Sequence, residues 1–448
     1  MPIFILKNFS HSFIIVSLIS LIVMMGATMV TPSLTLYTKN GFSDEGFIIG
    51  SVVAGYAIGR IITDIPSGFL TNRIGISKTM KIGLGIQILS SIIAGIAPNY
   101  WILFLMRVAE GIGSSIYVNA AVSYVLLSNQ SSRRGMVMGI YQSIMMTGIT
   151  IGPMFGAFIA STYGLNASYF AYAAVLVVAL IIVFFIQCKV KFHLVTNSGG
   201  GTADNNYIFE SGSFGLISKI SLYINSASFA TFGFAFLRSG IYTMAIPLFA
   251  YENLHLSVVS VGFIFTSASM ANLLASFFSG KLTDKYGMKR PLIISILVAS
   301  FIIVVIPFIT SMIQILILVI SLGITSGFFG QSVAWAVEKV EEKAKKSSIF
   351  TSNKNSKYLD TSSFVTKGIG FNRMIGDTGL ILGPLIVGYI ITIMKNQTFV
   401  WIVSFATVSV ILMFICSLLT KANNNNNDNN NNGRIYCLQK HKKGIPFN

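Results

Sequence analysis

Seven charged residues fall inside long apolar runs of this chain and away from their ends: Arg60, Asp64, Arg107, Glu110, Arg238, Arg373 and Asp377. A charge at the centre of a bilayer costs about 2.5–3.5 kcal/mol on insertion scales, so residues of this kind are kept for a partner, a proton or an ion. Their spacing offers partners. Arg60 and Asp64 are i,i+4, as are Arg373 and Asp377, while Arg107 and Glu110 are i,i+3, and both spacings put two side chains on one helix face. Arg238 has no acid in its own run and needs a carboxylate from elsewhere, a carbonyl, water or an anionic substrate group. The three carboxylates are candidates for carrying a coupling proton, Glu110 first, Asp64 second and Asp377 with them. Arg107 and Arg238, with Thr31, Ser115, Asn119, Tyr242, Thr325 and Gln331, are candidates for lining a substrate cavity.

The elements that must position these residues are membrane-spanning helices. Of 448 residues, 53% are hydrophobic and only 10% charged, against roughly 25% charged in a soluble domain. Apolar runs fall near 12–37, 46–70, 79–97, 101–127, 135–161, 168–187, 218–249, 258–279, 291–310, 313–336, 368–394 and 398–420. A span needs about 20 apolar residues, so twelve spans are expected. With both termini placed in the cytoplasm, only Lys39 and Lys395 fall in outer loops; the remaining basic residues outside the spans gather on the inner side. That asymmetry sets the orientation. It also gives the net charge of +17 a topogenic and lipid-contacting role and argues against nucleic acid as a partner.

Four histidines (His11, His193, His255, His441) lie at run ends or in loops, and three cysteines (Cys188, Cys416, Cys437) have neither metal-site nor disulfide spacing. No H-E-x-x-H, G-x-S-x-G or phosphate-binding loop is present, so neither an enzyme nor an ATP-driven pump is expected. No cofactor is implied; the expected energy source is a proton gradient.

The chain repeats itself. Gly68-Phe-Leu-Thr-Asn72-Arg73-Ile-Gly75 after the second run returns as Gly280-Lys-Leu-Thr-Asp284-Lys285-Tyr-Gly287 after the eighth. Gly139, Gly148, Gly152, Pro153 and Gly156 in the fifth run return as Gly370, Gly379, Gly383, Pro384 and Gly388 in the eleventh. Glycines four apart flatten a helix face and let two backbones approach, and a proline inside a helix removes one backbone bond. Pro32 and Pro247 suggest further bends at matching places. The organisation expected is a six-helix half over 1–188, a cytoplasmic linker over 189–217 and a second six-helix half over 218–420. A cytoplasmic loop insertion at 338–366 and an Asn-rich, disordered tail over 421–448 complete it.

These residues resemble the major facilitator superfamily over nearly the whole chain, and most closely its proton-coupled drug antiporters. The tight basic loops at Gly68–Lys78 and after span 8 look like the family's motif A, with Asn72 where the family carries Asp. Arg107-Val-Ala-Glu110-Gly111-Ile-Gly113 looks like motif B. Gly139–Ala157 looks like motif C, with Ala157 in place of a final glycine. The resemblance implies an all-α fold of two six-helix pseudo-repeats that rock about a central cavity lined by spans 1, 4, 7 and 10. It also sets spans 2 and 11 side by side, where Arg60, Asp64, Arg373 and Asp377 form either two local ion pairs or one cross-half latch at the inner side.

The function expected is secondary active transport of a small organic solute by a monomer in the cell membrane, as proton-coupled efflux. Import of an organic anion or sugar by symport or uniport stands beside it, and a non-transporting membrane sensor is the reading of another class.

Overall fold

The structure is a computed structural model and describes residues 11–127, 134–185, 226–287, 289–328, 331, 332, 335 and 361–393. Among them every regular element is helical, and eight helices are long and apolar enough to cross a membrane. The protein is therefore a multi-pass integral membrane protein, its helices exposing Leu89, Phe158, Phe184, Phe278, Phe301 and Ile317 outward, where lipid tails rather than water are the solvent.

Span 1 is broken into His11–Met29 and Thr31–Gly41. Spans 2 to 6 are Gly46–Ile74, Ile76–Gly95, Tyr100–Leu127, Arg134–Tyr163 and Ala167–Phe185. Span 7 runs Ser226–Phe236, then a π-helix Leu237–Ala245, then Ile246–Glu252. Spans 8 and 9 are Val258–Tyr286 and Lys289–Val305, span 10 is Met312–Ser326 and span 11 is Thr361–Ile393. The expected twelfth run, the linker 189–217, residues 338–360 of the expected insertion and the tail 421–448 lie outside the described residues.

Three expectations are corrected. The repeated basic segments are not loops: Gly68 to Ile74 and Gly280 to Tyr286 continue helices 2 and 8, and the turn shrinks to Gly75 at φ 88° and Gly287 at φ 76°. Only glycine takes that backbone without strain, so one residue reverses the chain and the polar residues before it are free to stay helical. Thr71 and Thr283 hold the last turns by donating to the carbonyls of Ser67 and Gly280. Span 11 begins at Thr361 rather than 368, taking the end of the expected insertion into its helix. The two outer prolines mark discontinuities of different kinds. Pro32 follows the break at Val30–Thr31, whereas Pro247 follows the π-helix, where its missing N–H and its ring leave the turn before it no α-helical register.

Two large apolar cores result, beside a small cluster of Ala230, Phe234, Leu292 and Trp335. One is built wholly from spans 1 to 6, with Tyr117, Tyr141, Tyr169 and Tyr172 fully buried in it. The other is built from spans 7 to 11 with Leu36 and Ile49 contributed by spans 1 and 2. Contacts between these groups run along two seams, span 2 on span 11 and span 5 on span 8.

Candidate functional site

The glycine repeat packs each half onto its first span, and its prolines and Gly388 meet the seams. A Cβ at Gly148, Gly152 or Gly156 would run into the backbone of Leu21, Met25 and Met29 on span 1, and one at Gly379 or Gly383 into Phe232, Phe236 and Gly240 on span 7. Each repeat therefore clamps its half's first span. The opposite side of span 5 meets span 8, where Ala157 and Pro153 face Gly262; the missing glycine at 157 is compensated by one across the seam. On the face that carries Lys39, expected from the charge asymmetry to be the outer one, span 2 is closed against span 11. Gly46 lies on Gly388, Gly50 on Pro384, and the Phe47 N–H donates to Thr392 Oγ1 at 2.9 Å. Lys39 is ion-paired with Glu252 between the outer ends of spans 1 and 7.

The intramembrane charges sort into three groups. The first is Arg107–Glu110, an ion pair at 2.7 Å with Arg107 8% and Glu110 1% exposed. Its surroundings are Tyr56 on span 2, whose ring lies 5.2 Å from the guanidinium, and Tyr169 and Tyr172 on span 6. Tyr56 is pinned by Ser114 at 2.6 Å, and Tyr172 donates to Gln87 at 2.9 Å. Glu110 thus faces spans 3 and 6 inside the first core, away from the path between the halves. Sequence alone did not tell which way round span 4 it points.

The second group joins the halves. Midway along span 2, Arg60 turns to Asp377 of span 11 at 3.4 Å rather than to Asp64 one turn below it. Asp64 accepts from Ser115 at 2.5 Å, and Asn119 donates to the Asp64 carbonyl at 3.2 Å and to Ser67 Oγ at 2.6 Å. Of the two arrangements open in the sequence, the cross-half one is present for Arg60, at mid-depth rather than at the inner end. The side chains of Arg373, Asn72 and Asp284 lie outside the described residues, and Arg73 is exposed.

Arg238 forms the third group alone. It opens the π-helix, where the Thr243 hydroxyl donates to its carbonyl at 3.0 Å and the Ile246 N–H reaches back to Ile241. The neighbouring residues are committed to packing: Ser239 donates to Leu380 of span 11 at 2.9 Å and Tyr242 to Phe265 of span 8 at 3.0 Å. The Arg238 side chain is exposed, with Tyr56 and Arg60 of span 2 near enough to act on its charge. Thr325 and Gln331 belong elsewhere: the Thr325 carbonyl accepts from Ser295, and Gln331 is tied to Ser279 and Thr283 of span 8. Thr31 is half-buried at the break in span 1. Tyr56 and the π-helix were not singled out from sequence. Tyr56 stands one turn before Arg60, and Gly240 with Pro247 was the trace of the π-helix. Among the described residues no cluster of His, Cys, Asp or Glu suits a metal ion.

Known proteins agree with this arrangement. The sequence model of the Major Facilitator Superfamily matches residues 16–356 and 227–443. Multidrug resistance protein 2 of Bacillus subtilis is 26% identical over 55% of this chain and 60% of its own length. Multidrug resistance protein MdtG of Proteus mirabilis is 30% identical over 36% and 41%, and the human synaptic vesicular amine transporter 27% over 59% and 49%. The chain thus spans about half the length of these relatives. A POT family transporter solved in complex with 5-aminolevulinic acid superposes with a TM-score of 0.70 at 12% identity, covering 92% of this chain and 96% of that one. A D-xylose-proton symporter gives 0.65 at 13%, covering 90% and 96%, and both share the fold. With the repeated glycine clamps, the two seams and the charges between them, these matches show that the chain belongs to the Major Facilitator Superfamily.

Proposed function

We propose that the protein is a proton-coupled secondary transporter that exports small organic solutes from the cell by antiport, working as a monomer in the plasma membrane. The observation that carries the reading is the Arg60–Asp377 ion pair, which links spans 2 and 11 across the two halves. A carboxylate whose partner lies in the other half is one whose charge state bears on how the halves sit together. A proton on Asp377 removes the attraction for Arg60 and eases the rocking of one half against the other, the motion by which repeat-built transporters alternate access. Asp64, held by Ser115 and Asn119 on span 4, is the second coupling carboxylate. Glu110, enclosed in one half beside Arg107, serves the architecture of that half. Antiport is favoured by the glycine-rich motif of span 5 and by the printed names of the relatives, two of them multidrug resistance proteins.

Arg238 favours a second reading, symport of an organic anion. Protonating Asp377 frees Arg60 for an anion, so proton and anion assist each other and travel together. Proteoliposomes loaded with a pH dye and challenged with carboxylates, sugars, amino acids and lipophilic cations separate the two. Protons moving against the added compound support antiport; protons moving with a carboxylate replace it with symport. No proton movement with any compound, in protein shown to be folded, overturns proton coupling.

A further inference from the structure

We propose that Arg238 is the recognition group of an organic-anion site, taking the carboxylate of a small amphipathic acid in the cavity between spans 2, 7 and 11. The inference rests on the transporter reading and adds the chemical class of what is bound.

Three observations support it. First, among the described residues Arg238 is the intramembrane arginine whose guanidinium is open to water and makes no hydrogen bond or ion pair. Arg107 has Glu110 at 2.7 Å and Arg60 has Asp377 at 3.4 Å, while around Arg238 stand Tyr56, Tyr242 and a second cation, Arg60. Placing an uncompensated cation beside another one is unfavourable in a low-dielectric interior, and a bound anion removes both penalties at once. The planar fork of a guanidinium fits a carboxylate with two parallel hydrogen bonds.

Second, the backbone is shaped to present this residue. The π-helix starts at Leu237, so Arg238 leaves the helix at the point where the turn widens, and π segments recur at functional sites. The register shift seats Ser239 and Gly240 on span 11 and Tyr242 on span 8, which leaves Arg238 to the remaining face, toward span 2.

Third, the walls suit a molecule with an apolar body. Tyr56 of span 2 stands near the guanidinium and offers an aromatic face beside the charge. Aromatic faces with one fixed charge are what an aryl or short-chain carboxylate requires, whereas a polyol needs several fixed hydrogen-bonding groups. A cationic solute would meet the Arg238 guanidinium with Arg60 near it.

The test is isothermal titration of detergent-purified full-length protein with three probes of similar size: benzoate, benzamide and benzyltrimethylammonium. Benzoate is expected to bind at least about tenfold more tightly than the other two, the value of one good charge-assisted hydrogen bond. Arg238→Gln should lose that preference, and Arg238→Lys, which keeps the charge without the fork, should retain part of it. Equal binding of benzoate and benzamide by the native chain, or native benzoate affinity in Arg238→Gln, overturns the proposal. If Arg238→Gln does not purify as a folded monomer, the native chain's preference and Arg238→Lys decide. The two readings fail separately. Benzoate binding without solute-linked flux in proteoliposomes sinks the transport reading alone, and proton-linked flux of other solutes without anion binding sinks this one alone.

Discussion

The two halves share a sequence repeat and a packing scheme, yet they treat charge differently. In the first half Arg107 and Glu110 close on each other behind Tyr56, Tyr169 and Tyr172, and Asp64 is held by Ser115 with Asn119 beside it. These three side chains meet partners within the half, while Arg60 of the same half does not. In the second, Asp377 reaches across to Arg60, and Arg238 stands exposed at the start of a π-helix. The same glycine clamp, Gly148-Gly152-Gly156 on span 1 and Gly379-Gly383 on span 7, therefore grips an ordinary α-helix in one copy and a widened helix in the other. A repeat conserves how backbones meet; it leaves each copy free to be scaffold or working surface.

The contrast breaks first at Glu110. Glu110→Ala strands Arg107 in the core of the first half and should destabilise the protein by about 3–5 kcal/mol, while the double change Arg107→Leu with Glu110→Leu should recover most of the loss. Thermal unfolding of the purified variants measures it; a double variant as unstable as the single one would show that the pair does more than satisfy itself. Next come the clamps. Gly152→Ala pushes a methyl into Thr28 and Met25 of the α-helical span 1, whereas Gly383→Ala meets Phe236 and Gly240 beside the π-helix. Overpacking costs about 1–3 kcal/mol, with the larger value expected at Gly152 because the π-helix can yield. Equal losses would mean that the widened helix is as stiff as the regular one.

The smallest effect belongs to the outer face. Lys39 and Glu252 are ion-paired but both reach solvent, 24% and 44% exposed, so Lys39→Ala should cost under about 1 kcal/mol. Spin labels on the outer ends of spans 1 and 7 should nevertheless show a larger separated fraction, and less so in high salt. A distribution unchanged by the substitution would remove the pair from the outer closure.

Much of the scaffold was legible in the residues. The glycine spacing of spans 5 and 11 named the clamp faces, and the charges inside apolar runs named the groups whose pairing the structure describes. Partners were less legible. The i,i+4 spacing of Arg60 and Asp64 allows a local pair, and only the approach of span 11 brings Asp377 into competition for the arginine. The direction of Glu110 depends on the rotation of span 4 about its axis, which apolar residues on all sides leave unmarked. Gly68 to Ile74 read as a loop because it is polar, whereas a single glycine of positive φ at Gly75 does the turning. The π-helix was hidden for a related reason: Gly240 and Pro247 mark a discontinuity, and contacts with spans 8 and 11 choose its form.

Asp377→Asn is the most direct trial of the coupling account. The amide keeps the size and can still accept from Arg60, but it can neither carry nor release a proton. In proteoliposomes supplied with a transported solute on both sides, the variant should exchange solute across the membrane while no longer moving protons with it or being driven by a pH gradient. Proton movement and pH-driven flux at the native level in Asp377→Asn would contradict the assignment of coupling to the pair that joins the two halves.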